Sequence, residues 1–347
     1  MVVLGIDVGK RELFVNLQDG GGTSPPQILG QRGPVANTVV GLQQLSAWAL
    51  KHVDDPVNLL VVMEATNVYW ERSAQYFHAL GCQISVVNPA QIKYFARSVL
   101  RRGKTDAMDA EIIARYGCMM GPTPWVPPRT VLIELKQLTR EREGLLVRRT
   151  QENNHLIALN DAHHASPVVV DLTQRRITLL DEQVVLLEAA MRTIVEEDGE
   201  LRQQLQLLLS VPGFAFTSAV TVLAETVGFR QLETGEEISA AAGMAPSPQQ
   251  SGLRQGKGSI SKTGNARLRR IAYLAALGAS KSHSRMKIYY QGLKARGKPP
   301  KVALIALGRK LLVTGLAVVK SGKPYQDDFS LVQDGSGPTP HAATPGS

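Results

Sequence analysis

Asp106 and Asp109 stand three positions apart in Lys104-Thr105-Asp106-Ala107-Met108-Asp109-Ala110. On a helix that spacing sets them about 60° apart, so both carboxylates can point into one site. Two ionised carboxylates about 4 Å apart repel by roughly 4 kcal/mol at an effective dielectric of about 20, so a converging pair calls for a bound cation or a protonated member. The ordinary alternative is a pair that faces water, as charged helical residues mostly do. Two further acids favour a site: Asp7 follows the apolar run Val2 to Ile6, and Glu64 follows Leu59 to Met63. A carboxylate at the end of an apolar run is costly unless something pairs with it.

These acids need elements to hold them. Val2 to Ile6 and Leu13 to Leu17 read as a hairpin, with strands also at Asn58 to Met63 and Gln83 to Val87 and helices at Leu42 to His52 and Tyr69 to Leu80. Asn88-Pro89 caps a further helix from Ala90, and Ala107 to Tyr116 is helical. Alternating strands and helices imply a partly parallel sheet, closed off by Pro122, Pro124, Pro127 and Pro128. Gly5-Ile6-Asp7-Val8-Gly9 and Asp19 to Thr23 could be taken for the phosphate loops of a sugar kinase, but the second glycine loop follows too soon.

Ile177, Leu180, Val184, Leu187, Met191 and Ile194 alternate spacings of three and four, and Leu201, Leu205 and Leu208 resume the pattern after Asp198. This is a coiled coil whose antiparallel partner is either Leu132 to Leu159 or a second subunit. His155, His163 and His164 near its turn lack metal-ligand spacing. Ser210-Val211-Pro212-Gly213-Phe214 resembles the turn of a helix-hairpin-helix element, whose backbone N–H groups suit a phosphate.

The 347 residues suffice for about two domains and a connector, and 44% hydrophobic content for real cores. Charge is unevenly distributed. Between Ile238 and Gln326 stand seventeen Lys and Arg and no acid, which leaves the remainder at −8 of a total of +9. Such a stretch suits a polyanion, nucleic acid above all. Arg101, Arg102 and Lys104 before the acid pair, with Gly213, Arg254, Lys257, Lys262, Arg267, Arg269 and Arg270, are the candidate contacts. Two unpaired cysteines, Cys82 and Cys118, indicate neither a disulfide framework nor a zinc site. No signal sequence or apolar run of about 18 residues is evident, so a soluble cytoplasmic, nucleoid-associated protein without membrane contact is expected.

With Asp7, Glu64, Asp106 and Asp109 in that order, the chain resembles the DEDD insertion-sequence transposases related to the Piv-type pilin-gene invertases, the bridge-RNA-guided recombinases. The resemblance rests on Gly5-Ile6-Asp7-Val8, Glu64-Ala65-Thr66 with Tyr69, Asn88-Pro89, Lys104-Thr105-Asp106 with Asp109-Ala110, Pro212-Gly213, Gly243-x-x-Pro246 with Ser251-Gly252, and Lys262-x-Gly264 with Leu268-Arg269-Arg270. Asn67 stands where that family usually has Gly, and Gly9 where Ser or Ala is commoner.

The resemblance implies an α/β RuvC-like (RNase H-like) domain over 1–128 and an α-helical coiled coil over 129–208. It also implies a mainly α transposase domain with a helix-hairpin-helix element over 209–330; the Gly, Pro, Ser and Ala-rich composition of 331–347 reads as a disordered tail. It implies two Mg²⁺ ions held by Asp7, Glu64, Asp106 and Asp109, and Ser251 as a nucleophile that forms a phosphoserine link to DNA. The implied partners are donor and target DNA, a guide (bridge) RNA, and further copies of the chain in a homodimer or homotetramer. A RuvC-like nuclease with water as nucleophile and a non-enzymatic nucleic-acid scaffold are the competing readings.

Overall fold

The computed structural model describes residues 1–21, 26–100, 103, 105–247, 250–251, 254–255 and 259–327, with 247, 250, 251, 254 and 255 described through their backbone. The chain divides into two compact units after Pro127.

The first unit is mixed α/β. Strands β1 (Val2–Val8), β2 (Glu12–Asp19) and β3 (Gln27–Ala36) form an antiparallel meander. Helix α1 (Val39–Ala49) then leads to β4 (Leu59–Glu64), α2 (Trp70–Ala79), β5 (Gln83–Val87), α3 (Pro89–Ser98) and α4 (Asp106–Met120). The sheet order is β3-β2-β1-β4-β5, with β4 parallel to both β1 and β5. Strand β3 was not expected: Gly30, Gly33 and Pro34 hide its character, and a strand with internal glycine and proline belongs at a sheet edge.

The sheet is buried on both faces, which is why β1 and β4 read as continuous apolar runs. Leu4, Ile6, Val61 and Met63 enter one core, while Val3, Leu60 and Val62 enter another with Ile112, Ile113 and Tyr116 of α4. Gly5 lies on the α4 side, where an added Cβ would stand 2.3 Å from the Ala114 nitrogen and 2.5 Å from the Ala110 carbonyl oxygen. Only glycine lets α4 come this close.

The second unit is largely helical. Its elements are α5 (Thr130–Asp161), α6 (Pro167–Glu197), α7 (Gly199–Leu209), α8 (Phe216–Thr226), α9 (Gly235–Ala241), α10 (Ala266–Ala279), α11 (Arg285–Ala295) and α12 (Pro300–Ser321). Between α9 and α10, β6 (Pro246–Ser247) and β7 (Gln250–Ser251) pair with β9 (Ser259–Ile260) and β8 (Arg254–Gln255) respectively. Helices α5 and α6 are antiparallel partners within one chain, in a register held by Arg142–Glu188, Arg149–Asp181 and Arg176–Glu152 ion pairs. Asp198 caps α7 by accepting from the Leu201 N–H, which explains the break in the leucine pattern. Helix α12 is long and apolar enough to cross a membrane, but its Leu304, Leu307, Leu311 and Leu316 belong to the core of this unit.

Candidate active site

Asp7 and Glu64 end adjacent parallel strands. Ile6 pairs with Met63, so the next residue on each strand is the acid, and the alternation that sends Ile6 and Met63 to one core sends Asp7 and Glu64 to the face covered by α4. Thr105 caps that helix through its hydroxyl, which accepts from the Met108 N–H, so Asp106 and Asp109 both fall in the first turn. There they also favour the helix dipole, a local reason for acids at these positions. Asp7 and Asp106 line one cavity of about 440 Å³ together with Lys10, Arg11, Glu12 and Phe14.

The carboxylates share a face and are hard oxygen donors, the set that suits Mg²⁺. Among the described residues, however, no three Asp, Glu, His or Cys side chains are grouped closely enough to hold an ion. The donor type fits the metal; the placement would complete a ligand shell only if the carboxylates drew together.

Several positioning residues escaped the sequence. Thr66 donates to Glu64 Oε1 at 2.6 Å, which gives the threonine of Glu64-Ala65-Thr66 a purpose. Asn67 adopts φ 53°, a left-handed conformation that asparagine tolerates better than most residues and glycine best. Buried Asn37 donates through its side chain to the Gly9 and Tyr69 carbonyls, while its own carbonyl accepts from Arg72 at 2.6 Å. It thus ties the turn after Asp7 to the segment after Glu64. Beneath α4, buried Gln18 donates to Asn16 and to the Glu111 carbonyl. Burial raises both thiols to about 11, with the Asp19 charge adding to the effect at Cys118, so neither is a nucleophile at neutral pH.

In the second unit several of the expected phosphate contacts have partners or packing roles within the chain. Arg267 and Arg270 both donate to Glu143 of α5, at 2.9 and 2.5 Å. Arg269 donates to the carbonyls of Ala242, just after α9, and of Lys262, between β9 and α10, fastening both segments to α10. Lys262, in the segment between β9 and α10, takes φ 56° and donates its backbone N–H to the Gly243 carbonyl, while its side chain is exposed. Gly213 is a packing residue: a Cβ there would lie 2.4 Å from the Ala275 carbonyl oxygen of α10. These partners are more than sixty residues away in sequence or lie on packed backbones, so composition could not reveal them. Lys262, Lys281, Lys294, Arg296, Lys298 and Lys301 are exposed and in no ion pair among the described residues, so open positive charge stands before α10 and around α11 and the start of α12.

Ser251 pairs through its backbone with Arg254 in the β7–β8 hairpin, and their side chains lie outside the description. Arg101, Arg102, Lys104, Lys257 and residues 331–347 lie outside the described residues.

Comparison with known proteins supplies the class. A family model described as a transposase matches residues 4–165, and a second, described as the transposase IS116/IS110/IS902 family, matches residues 205–291. The protein is thus a transposase, an enzyme of DNA cleavage and transfer with DNA as its substrate. Pilin gene-inverting proteins of Moraxella bovis and Moraxella lacunata are each 28% identical over 291 residues, covering 83% of this chain and 88% of theirs. The chain belongs to the IS116/IS110/IS902 transposase family and is related to these pilin-inverting proteins. Among solved structures, Thermus thermophilus RuvC aligns at a TM-score of 0.28 and 17% identity, over 36% of this chain and 100% of its own.

Proposed function

We propose that this transposase recombines DNA at a site specified by a guide RNA, with Asp7, Glu64, Asp106 and Asp109 as ligands of Mg²⁺ and Ser251 as the nucleophile. The observation that carries this reading is the placement of Asp7 beside Glu64 at the ends of parallel strands, on the face covered by the helix whose first turn holds Asp106 and Asp109. The sheet order, with β2 alone antiparallel to both its neighbours β1 and β3, supports a RuvC-like (RNase H-like) reading of the first unit. Bound Mg²⁺ would stabilise the charge that builds on the oxygens of a phosphodiester under attack. The acids orient the reacting phosphate, Thr66 holds Glu64 in place, and Asn37 fixes the two loops around them.

Ser251 Oγ forms a bond to phosphorus as the bond from phosphorus to a deoxyribose oxygen breaks; the serine proton leaves and the departing sugar oxygen takes one up. Attack by a free sugar hydroxyl of another strand on the phosphoserine reverses the chemistry and joins new partners. The α5–α6 hairpin offers a surface for a second copy in a dimer or tetramer, and the acid-free stretch suits DNA and guide RNA.

Trapping a reaction with denaturant tests the nucleophile. The parent should give a protein–DNA adduct and Ser251→Ala none. Cleaved ends without an adduct in the parent would assign attack to water, and RNA sequenced from the purified protein tests the guide.

A further inference from the structure

Tyr94 is the one exposed aromatic side chain among the described residues. It is 66% exposed, whereas each other described Trp, Tyr and Phe is buried or half-buried. It lies on α3, whose apolar positions Ile92, Phe95 and Ala96, with Val99 just after the helix, pack into the core beneath α4. Tyr94 and Arg97, three residues apart, are neighbours on the opposite face, with exposed Lys93 beside them. Among the described residues no ring and no cation stacks on Tyr94, and neither Lys93 nor Arg97 has a carboxylate within ion-pair distance. The surrounding sequence sharpens the charge argument: between Glu71 and Asp106 there is no Asp or Glu, while six Lys and Arg stand there. Helix α3 begins where β5 ends, next to the end of β4 that carries Glu64.

An open ring flanked by unneutralised cations is what an unpaired nucleotide needs: a π-face for the base and positive charge for the phosphates on either side. We propose that the outer face of α3 is a single-strand binding site, with Tyr94 stacking one base and Lys93 and Arg97 contacting its flanking phosphates. It rests on the reading of the chain as a nucleic-acid recombinase and adds where an unpaired strand is held. The chemistry is common to DNA and RNA, and the test separates them.

The full-length protein is titrated with iodouracil-substituted single-stranded DNA and RNA in a chelating buffer, so that binding is read without cleavage, and then photo-cross-linked. In at least one of the two, Tyr94 should carry the cross-link. Tyr94→Ala should weaken binding about 5- to 100-fold with unchanged far-ultraviolet circular dichroism, and Tyr94→Phe, which keeps the ring, should restore it. Arg97→Gln should lower the salt slope by about 0.7 to 1. If Tyr94→Ala binds both strands as the parent does, or the cross-link falls only elsewhere, the α3 site is wrong while the recombinase reading stands. If the parent binds neither DNA nor RNA, both fall.

Discussion

Gly5 of β1 meets the backbone of Ala114 in α4 so closely that a Cβ on Gly5 would stand 2.3 Å from the Ala114 nitrogen. This contact sets the height of α4 above the sheet, and therefore the reach toward Asp7 of Asp109 and Asp106, which lie about one and two turns nearer the start of the helix.

Gly5→Ala must lift α4 or bend β1, because the atoms it meets are backbone atoms that no rotamer change can move. Overpacking of this kind costs typically about 1–3 kcal/mol. Thermal unfolding should show the loss, and DNA cleavage should fall more than the residual folded fraction explains. Parent-like cleavage would mean that the height of α4 does not matter to the acids.

Asn37→Ala removes two side-chain donors from a buried position and leaves the Gly9 and Tyr69 carbonyls short of a partner. The expected destabilisation is about 1–3 kcal/mol. Hydrogen exchange should accelerate in both the turn after Asp7 and the segment after Glu64, since Asn37 couples them.

Glu225 is wholly buried at its side chain and bonded by Arg140 at 2.8 and 3.0 Å and by Asn265 at 2.7 Å. Burial opposes its ionisation, but these hydrogen bonds, with the charges of Arg140 and Lys136, outweigh burial and hold the carboxyl below the usual range. A lowered folded pKa gives stability that is present above the unfolded value, about 4.3, and lost as pH falls through the folded one. Acid unfolding of the parent should therefore steepen below about pH 4. Glu225→Gln should be less stable than the parent at neutral pH, with the difference shrinking on acidification.

Glu143→Gln releases Arg267 and Arg270, whose side chains are about half exposed. Screening keeps the stability change small, roughly 0–1 kcal/mol. Nucleic-acid affinity should rise, and its salt slope should steepen by about 1 to 2 as two cations become available to phosphates. Arg269→Ala, by contrast, should lower the melting temperature, since its guanidinium satisfies the Ala242 carbonyl before β6 and the Lys262 carbonyl after β9.

Much of the first unit was legible because its signals are local. Apolar runs ending in Asp7 and Glu64 marked β1 and β4, and Asn88-Pro89 marked α3, where Asn88 and Gln91 form a reciprocal cap. The acid pair was legible as one helix face. What stayed hidden depends on distant partners. Heptad spacing showed that α6 needed a companion but could not say which; ion pairs such as Arg142–Glu188 identify it as α5. Nothing in the neighbourhood of Arg267 and Arg270 on α10 revealed their partner Glu143, more than a hundred residues earlier. Edge strand β3 was masked by its own glycines and proline.

The central claim is that Asp7, Glu64, Asp106 and Asp109 act as one metal-holding unit for strand cleavage. Single-turnover DNA cleavage by Asp7→Asn, Glu64→Gln, Asp106→Asn and Asp109→Asn, measured beside DNA binding in a chelating buffer, tests it most directly. Residues that act together fail together, so each variant should lose roughly 10²-fold or more while binding and folding persist. A variant that cleaves at the parent rate would remove its acid from the site, and parent-rate cleavage by both Asp7→Asn and Asp106→Asn would contradict the account.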